Sequence, residues 1–283
     1  MEKQKRVAAI HDISCVGKCS LTVALPVVSA AGAECAVLPT AVLSTHTGGF
    51  TGFTFRDLTE DMQPIADHWK TLSLGFDAVY TGYLGSFDQL ALVGRFIGDF
   101  RREGTLVLVD PVMGDQGKLY QSIAAEFPAG MKALCAKADV IVPNLTEAAF
   151  MLGEPYVEPP YDRAYVEGLL QRLAGLGPRR VVLTGVAFEQ DELGAATYDA
   201  DADAVHYAMA RRIEGYYHGT GDVFSSGLLG ALLNGFSLDK AARVAVDFTV
   251  ASIKTTRAAG TDVRFGVNFE ANLPAFMRAL GRI

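Results

Sequence analysis

Short, unbroken apolar runs recur along the chain at residues 7–10, 35–39, 78–81, 105–110, 139–142 and 180–184. They do not alternate with polar positions, as a strand covered on both faces does not. Between them lie segments with helical spacing of apolar residues, at 18–31, 57–72, 86–102, 121–137, 145–152 and 163–174. Strand and helix taking turns in this way predict an α/β fold, with a mostly parallel sheet and helices on both faces. Residues 195–198 and 205–211, joined by the polar stretch 199–203, predict a β-hairpin near one edge. The last third turns helical, at 222–233, 238–255 and 269–280. Residues 155–162, with Pro159-Pro160, read as a surface loop and not as a boundary. Residues 1–283 are therefore expected to form a single domain.

In an open α/β sheet the ligand sits beyond the carboxyl ends of the strands. The polar groups of this sequence gather at those ends. The first strand ends in His11-Asp12-Ile13-Ser14, and the third in Thr81-Gly82-Tyr83-Leu84-Gly85. The next two end in Asp110-Pro111-Val112-Met113-Gly114-Asp115 and Pro143-Asn144-Leu145-Thr146-Glu147. The strongest signal is Gly219-Thr220-Gly221-Asp222, which leads into an apolar helix that stops at Asn234-Gly235. A glycine-rich turn feeding a helix start presents free N–H groups at the positive end of the helix dipole, which suits phosphate. Asp222 there has two possible jobs. It caps the helix, or it accepts a proton from a hydroxyl that attacks a phosphoryl group.

The other groups also carry two readings each. Asp110 and Asp115 flank a turn, as solvated acids or as partners of a cation; Asp110 ends an apolar strand, where an unpaired charge is costly. Residues 114–120 are rich in glycine and polar groups and suit a lid over a nucleotide. Asn144 and Glu147 have capping-box spacing, and equally the hard oxygens that place Mg²⁺ beside phosphates. His46-Thr47-Gly48-Gly49 and the aromatic segment 50–53 form a turn or supply contacts to a flat heteroaromatic substrate. Tyr83 reads as a wall of that pocket. Gly17-Lys18-Cys19-Ser20 is not a phosphate-binding loop of the Gly-x-x-x-x-Gly-Lys-Ser/Thr type, because Asp12 and Cys19 break the pattern.

Composition narrows the partners. The chain has 283 residues, 50% of them hydrophobic, and a formal net charge of −7. That balance argues against nucleic acid or an acidic membrane as a partner, while leaving room for a small anion held by local amides. Cys15, Cys19, Cys35 and Cys135 lack paired spacing and read as free thiols. The five histidines show no zinc-ligand spacing. The polar run Met1–Arg6 leads into an apolar stretch too short for a signal peptide or a membrane span, so a cytoplasmic location is expected.

Taken in order, these motifs resemble those of the ribokinase-like superfamily, and most finely the pyridoxal/pyridoxamine kinases. The resemblance is carried by Thr45-His46-Thr47-Gly48, Thr81–Gly85, Asp110–Asp115, Val142-Pro143-Asn144-x-x-Glu147 and Gly219–Phe224. It spans essentially the whole chain. It implies a three-layer ribokinase-like sandwich, usually a homodimer. The implied activity is an ATP- and Mg²⁺-dependent kinase acting on the 5′-hydroxymethyl of a vitamin B6 form. By the same resemblance Asp222 is the catalytic base, and Gly219, Thr220 and Gly221 form the anion hole. Asp110, Asp115, Asn144, Glu147 and Thr184 lie near the nucleotide and metal, with Asp110 and Glu147 as metal groups. Ser14, Thr47 and Tyr83 touch the pyridine substrate. Val142 stands where relatives often carry threonine and offers no side-chain oxygen, so a monovalent cation is left unassigned. The segment at His11–Cys15 is also similar to hydroxymethylpyrimidine kinases, which stand as the alternative. A B6- or nucleotide-binding protein without turnover is a second one.

Overall fold

A computed structural model describes residues 4–283; Met1–Lys3, the first half of the polar run Met1–Arg6, lie outside it. Among the described residues, nine strands form one sheet. Its parallel centre is built from β1 (Arg6–Ser14), β2 (Glu34–Leu43), β4 (Ala78–Thr81), β5 (Leu106–Val109), β8 (Val140–Ile141) and β9 (Arg180–Val186). Antiparallel strands close both sides: β3 (Phe55–Asp57) pairs with β2, and the hairpin of β10 (Glu192–Asp199) and β11 (Ala204–Arg211) pairs with β9. The spatial order is β11-β10-β9-β8-β5-β4-β1-β2-β3. β6 (Gly114–Asp115) and β7 (Lys118–Leu119) form a separate two-stranded flap.

The alternation of side chains across the strands creates two cores. Ala8, Ile10, Val79, Val107 and Val109 face one layer. That layer holds α2 (Thr59–Thr71), α3 (Phe87–Phe100), α4 (Phe127–Cys135), α5 (Leu145–Leu152) and α6 (Arg163–Ala174). Val7, Ala78, Tyr80 and Leu108 face the other, with α1 (Leu21–Ala30), α7 (Thr220–Leu233), α8 (Leu238–Ala258) and α9 (Leu273–Ala279). Each fully buried Val, Leu or Phe contributes roughly 1.5–3 kcal/mol, so both faces are strongly specified. The expected α/β sandwich is thus present, with the hairpin at the expected edge.

Several boundaries differ from the sequence reading, each for a local reason. α1 starts at Leu21 and not at residue 18, because Ser20 turns with φ 53° and breaks the helical path. α4 starts at Phe127, where Pro128 suits a first turn but not a helix interior. α7 begins at Thr220, two residues before Asp222. The edge strand β3 and the flap strands were not predicted, being only two or three residues long. No helix of the described residues is long and apolar enough to cross a membrane.

β1 lies between β2 and β4, so the chain leaves it in opposite directions on its two sides. This is the switch point of the sheet, where a crevice opens beyond the strand ends. Asp12 and Ser14 at the end of β1, Tyr83 after β4 and Asp110 after β5 all stand at this margin.

Candidate active site

The crevice is closed on one side by the start of α7. Gly219 is its N-cap, in a left-handed conformation with φ 74°. A Cβ there would stand 2.1 Å from the Lys18 carbonyl oxygen, so only glycine fits. The first intrahelical bond runs from Val223 N to Gly219 O, at 3.0 Å. No side chain caps this end. The N–H groups of Thr220, Gly221 and Asp222 therefore have no partner within the helix. A Cβ on Gly221 would meet nothing within 4 Å. The protein itself does not require glycine there; the open space above those amides does, if an anion is to come close.

Asp222 is the third helical residue, not the cap that one reading of the sequence allowed; the cap is Gly219. Its half-buried carboxyl group is pushed up to about 7 by burial, aided by the charge of Asp12 and opposed by a hydrogen bond from the Ser20 amide. Asp110 is only 7% exposed. It accepts a 2.7 Å hydrogen bond from Ser225 Oγ, one turn further along α7. Burial holds the Asp110 carboxyl well above the usual carboxylate range, and the charge of Asp222 adds to this. The two acids thus feel each other across the crevice. Ser226 Oγ lies 3.2 Å from Tyr80 Oη, anchoring α7 to β4.

The start of α5 is built differently. Asn144 Oδ1 accepts from Glu147 N at 2.9 Å, and Glu147 Oε2 accepts from Asn144 N at 2.9 Å, a complete capping box. Glu147 Oε1 also accepts from Met113 N at 3.1 Å. Asn144 Nδ2 donates to Gly114 O at 2.9 Å, so this helix start carries the base of the flap. Glu147 is 3% exposed, and burial, with Asp110 beside it, raises its proton affinity strongly. Thr184 bridges to Asn144 next door, with its N–H on Pro143 O at 2.9 Å.

The other expected residues are spread along the rim. Asp115 is in the flap and accepts a 3.0 Å hydrogen bond from Tyr216 Oη. Tyr83 Oη lies 2.9 Å from Ser122 Oγ. Thr47 is exposed on the loop after β2. The neighbouring His46 is buried: its Nδ1 accepts from Gly48 N at 3.0 Å, which leaves Nε2–H to donate to Arg264 O at 2.6 Å. Ser14 is buried and donates to Asp12 Oδ2 at 3.1 Å.

Asp12 was passed over by the sequence reading in favour of Ser14. It is 5% exposed, and its charge is felt by Asp222, Cys19 and Tyr83. A carboxylate closing an apolar strand was the available signal, the same one that pointed to Asp110. Nothing in the local sequence pattern singles out Ser225 and Ser226 as partners of Asp110 and Tyr80. Among the described residues no group of three or more His, Cys, Asp or Glu forms a metal cage. Asp110 and Glu147 nevertheless stand together near the open helix start. That donor set fits a hard cation which takes its remaining oxygens from phosphates and water.

Residues 24–266 match the family model described as phosphomethylpyrimidine kinase. The chain is 28% identical over 263 residues to a pyridoxine/pyridoxal/pyridoxamine kinase of Bordetella avium, covering 89% of this chain and 86% of the relative. Its backbone is similar to that of pyridoxal kinase from Lactobacillus plantarum, with a TM-score of 0.89, 35% identity and 98% of both chains covered. It is also similar to a Bacteroides thetaiotaomicron protein in an orthorhombic crystal form with pyridoxal: TM-score 0.92, 39% identity, 97% of this chain and 96% of that one. The sandwich is ribokinase-like.

Proposed function

The chain belongs to the phosphomethylpyrimidine kinase family, and from that premise we propose that it transfers the γ-phosphoryl group of ATP to the 5′-hydroxymethyl of a vitamin B6 form. The observation that carries this reading is the uncapped start of α7, with Asp222 poised at about 7 beside it. A base working near neutral pH needs proton affinity in that range, and burial supplies it.

In this reading Asp222 accepts the hydroxyl proton as the oxygen attacks in line. The amides of Thr220, Gly221 and Asp222 hold charge on the transferring group, with Gly219 shaping the turn. The anion hole that the resemblance assigns to Gly219, Thr220 and Gly221 thus rests on the turn at Gly219 and the free amides after it. Asp110 and Glu147 would hold Mg²⁺, although both Glu147 oxygens already accept backbone N–H groups. When bound, Mg²⁺ neutralises phosphate charge. Asn144 and Thr184 fix that corner, and Asp115 with Tyr216 joins the flap to the loop before α7. Ser14, Thr47 and Tyr83 border the pyridine ring. Residues 1–283 act as one kinase domain, supported by the continuous sheet. We also assign a cytoplasmic homodimer, supported by four free cysteines and by the family resemblance.

Hydroxymethylpyrimidine stands as the alternative acceptor, since the matching family model is described as phosphomethylpyrimidine kinase. One assay separates the readings: ADP release from ATP-Mg²⁺ with pyridoxal, pyridoxamine, pyridoxine and hydroxymethylpyrimidine in turn. Turnover of the B6 forms is expected to dominate. Preferential turnover of hydroxymethylpyrimidine overturns the assignment, and saturable binding with no ADP formed favours a binding protein.

A further inference from the structure

His218 immediately precedes Gly219, the N-cap of α7, and so stands beside the free amides of that helix. Two other rings hold its ring in place. The His46 centroid lies 5.0 Å away, and Tyr216 meets it edge-on, also at 5.0 Å. A Cβ on Gly48 would stand 2.6 Å from both Cε1 and Nδ1 of His218. Gly48 is not among the glycines in the left-handed region, so its backbone does not require glycine; the His218 ring does. His218 thus closes the gap between the His46–Gly49 turn and the start of α7. The B6 reading puts the pyridine ring on this side of the crevice.

The neighbours of His218 have spent their hydrogen bonds. His46 Nδ1 accepts from Gly48 N, and its Nε2–H donates to Arg264 O. The Tyr216 hydroxyl donates to Asp115 in the flap. His218 has not: it is half-buried, and among the described residues neither of its ring nitrogens has a hydrogen-bond partner. Phenylalanine would fill the same space without taking an imidazole out of water. Held by two rings, with Gly48 cleared for it, His218 is oriented in advance, which lowers the entropy cost of a contact with a ligand.

All B6 forms share two polar ring positions besides the arm that is phosphorylated: the ring nitrogen and the 3-hydroxyl. A neutral imidazole has one donor and one acceptor. The 3-hydroxyl accepts as phenolate and donates as phenol, so it suits either nitrogen of His218. A protonated pyridine nitrogen only donates. Hydroxymethylpyrimidine has a bare ring nitrogen where B6 has the carbon bearing this hydroxyl, so its polar atom falls one bond short.

We propose that His218 is a specificity-determining residue that hydrogen-bonds the 3-hydroxyl of the B6 ring and so favours B6 over hydroxymethylpyrimidine. This rests on the B6 kinase reading given above and deepens it.

The test pairs a change in the protein with a change in the substrate. Pyridoxine and 3-deoxypyridoxine, which lacks the hydroxyl, are compared in the parent, His218→Phe and His218→Ala. The parent is expected to lose roughly tenfold or more in kcat/KM when the hydroxyl is removed, the scale of one hydrogen bond to a charged group. Both variants are expected to turn over the two compounds about equally, with KM for ATP near the parental value. His218→Phe keeps the packing, and His218→Ala decides should the larger ring disturb Gly48. Calorimetric titration of the same pairs without ATP is expected to show the same loss of discrimination in Kd. A purely structural role weakens both compounds alike and keeps their ratio; that result overturns the proposal, as does a parent that treats the two compounds equally. A parent that binds pyridoxine in preference and forms no ADP, with the preference lost in the variants, overturns the kinase reading and supports the contact.

Discussion

Two helices of this protein start at the same margin of the sheet with an acid at the same helical position, and they end up with opposite chemistry. Glu147 is third in α5 and Asp222 third in α7. In α5 the N-cap is Asn144, and glutamate is long enough to reach back to its amide, so acid and cap satisfy each other. In α7 the N-cap is Gly219, which has no side chain to offer. Asp222 faces the crevice, and the amides around it stay free for an anion. One start is spent on holding the protein together; the other is left incomplete and made available to a ligand.

That contrast can be broken at several points. The largest effect is expected from Asp222→Asn, which should lower kcat by roughly 10²–10⁴-fold while leaving ATP affinity nearly intact, read by steady-state kinetics and nucleotide titration. The same variant has a stability signature. With its proton affinity raised to about 7 in the fold, Asp222 favours folding below its ordinary value of 3.8, and that contribution is lost as pH rises through about 7. The free parental protein should therefore lose melting temperature between these values, and Asp222→Asn should flatten the decline.

Gly219→Ala comes next, since its Cβ would meet backbone at 2.1 Å in a left-handed turn. Loss of both activity and melting temperature is expected, by at least the ~1–2 kcal/mol that a left-handed residue with a Cβ costs. Gly221→Ala should separate the two properties. Nothing in the protein obstructs it, and replacing a helical glycine contributes up to ~1 kcal/mol. Melting should stay level or rise while KM for ATP increases; an unchanged KM would mean that no anion approaches these amides. The smallest effect belongs to α5. Asn144→Ala should cost about 1 kcal/mol, or roughly 2–4 °C in melting temperature, read by thermal melting.

The parallel strands were legible in the sequence because a strand covered on both faces must be a continuous apolar run. Asp110 and the Gly219–Asp222 turn were legible because each interrupts such a pattern with groups that need a reason. Phe55–Asp57 was not, since an edge strand of three exposed residues carries no burial signal. Helix starts were misplaced where the backbone, not the side-chain pattern, decides: Ser20 ends the extended path by its own conformation. The pairings Ser225–Asp110 and Tyr80–Ser226 join residues more than a hundred positions apart, and local spacing holds no trace of them. Asn144 and Glu147 were legible as a box, and the structure contains it; their place beside a metal rests on the kinase reading.

The second core has a consequence for how the chain is made. Val7, Val23 and Val27, near its beginning, share that core with Val223, Ala241, Phe269 and Phe276 near its end. During vectorial synthesis the first strand and first helix emerge long before their covering layer exists. At roughly 5–20 residues per second, the ~200 residues separating α1 from α7 take on the order of 10–40 s to translate. For that interval α1 is the one helix of its layer available to cover that face of the nascent sheet. A ribosome stalled before α7 would hold a chain with one finished face and one covered by α1 alone, an apt target for chaperones.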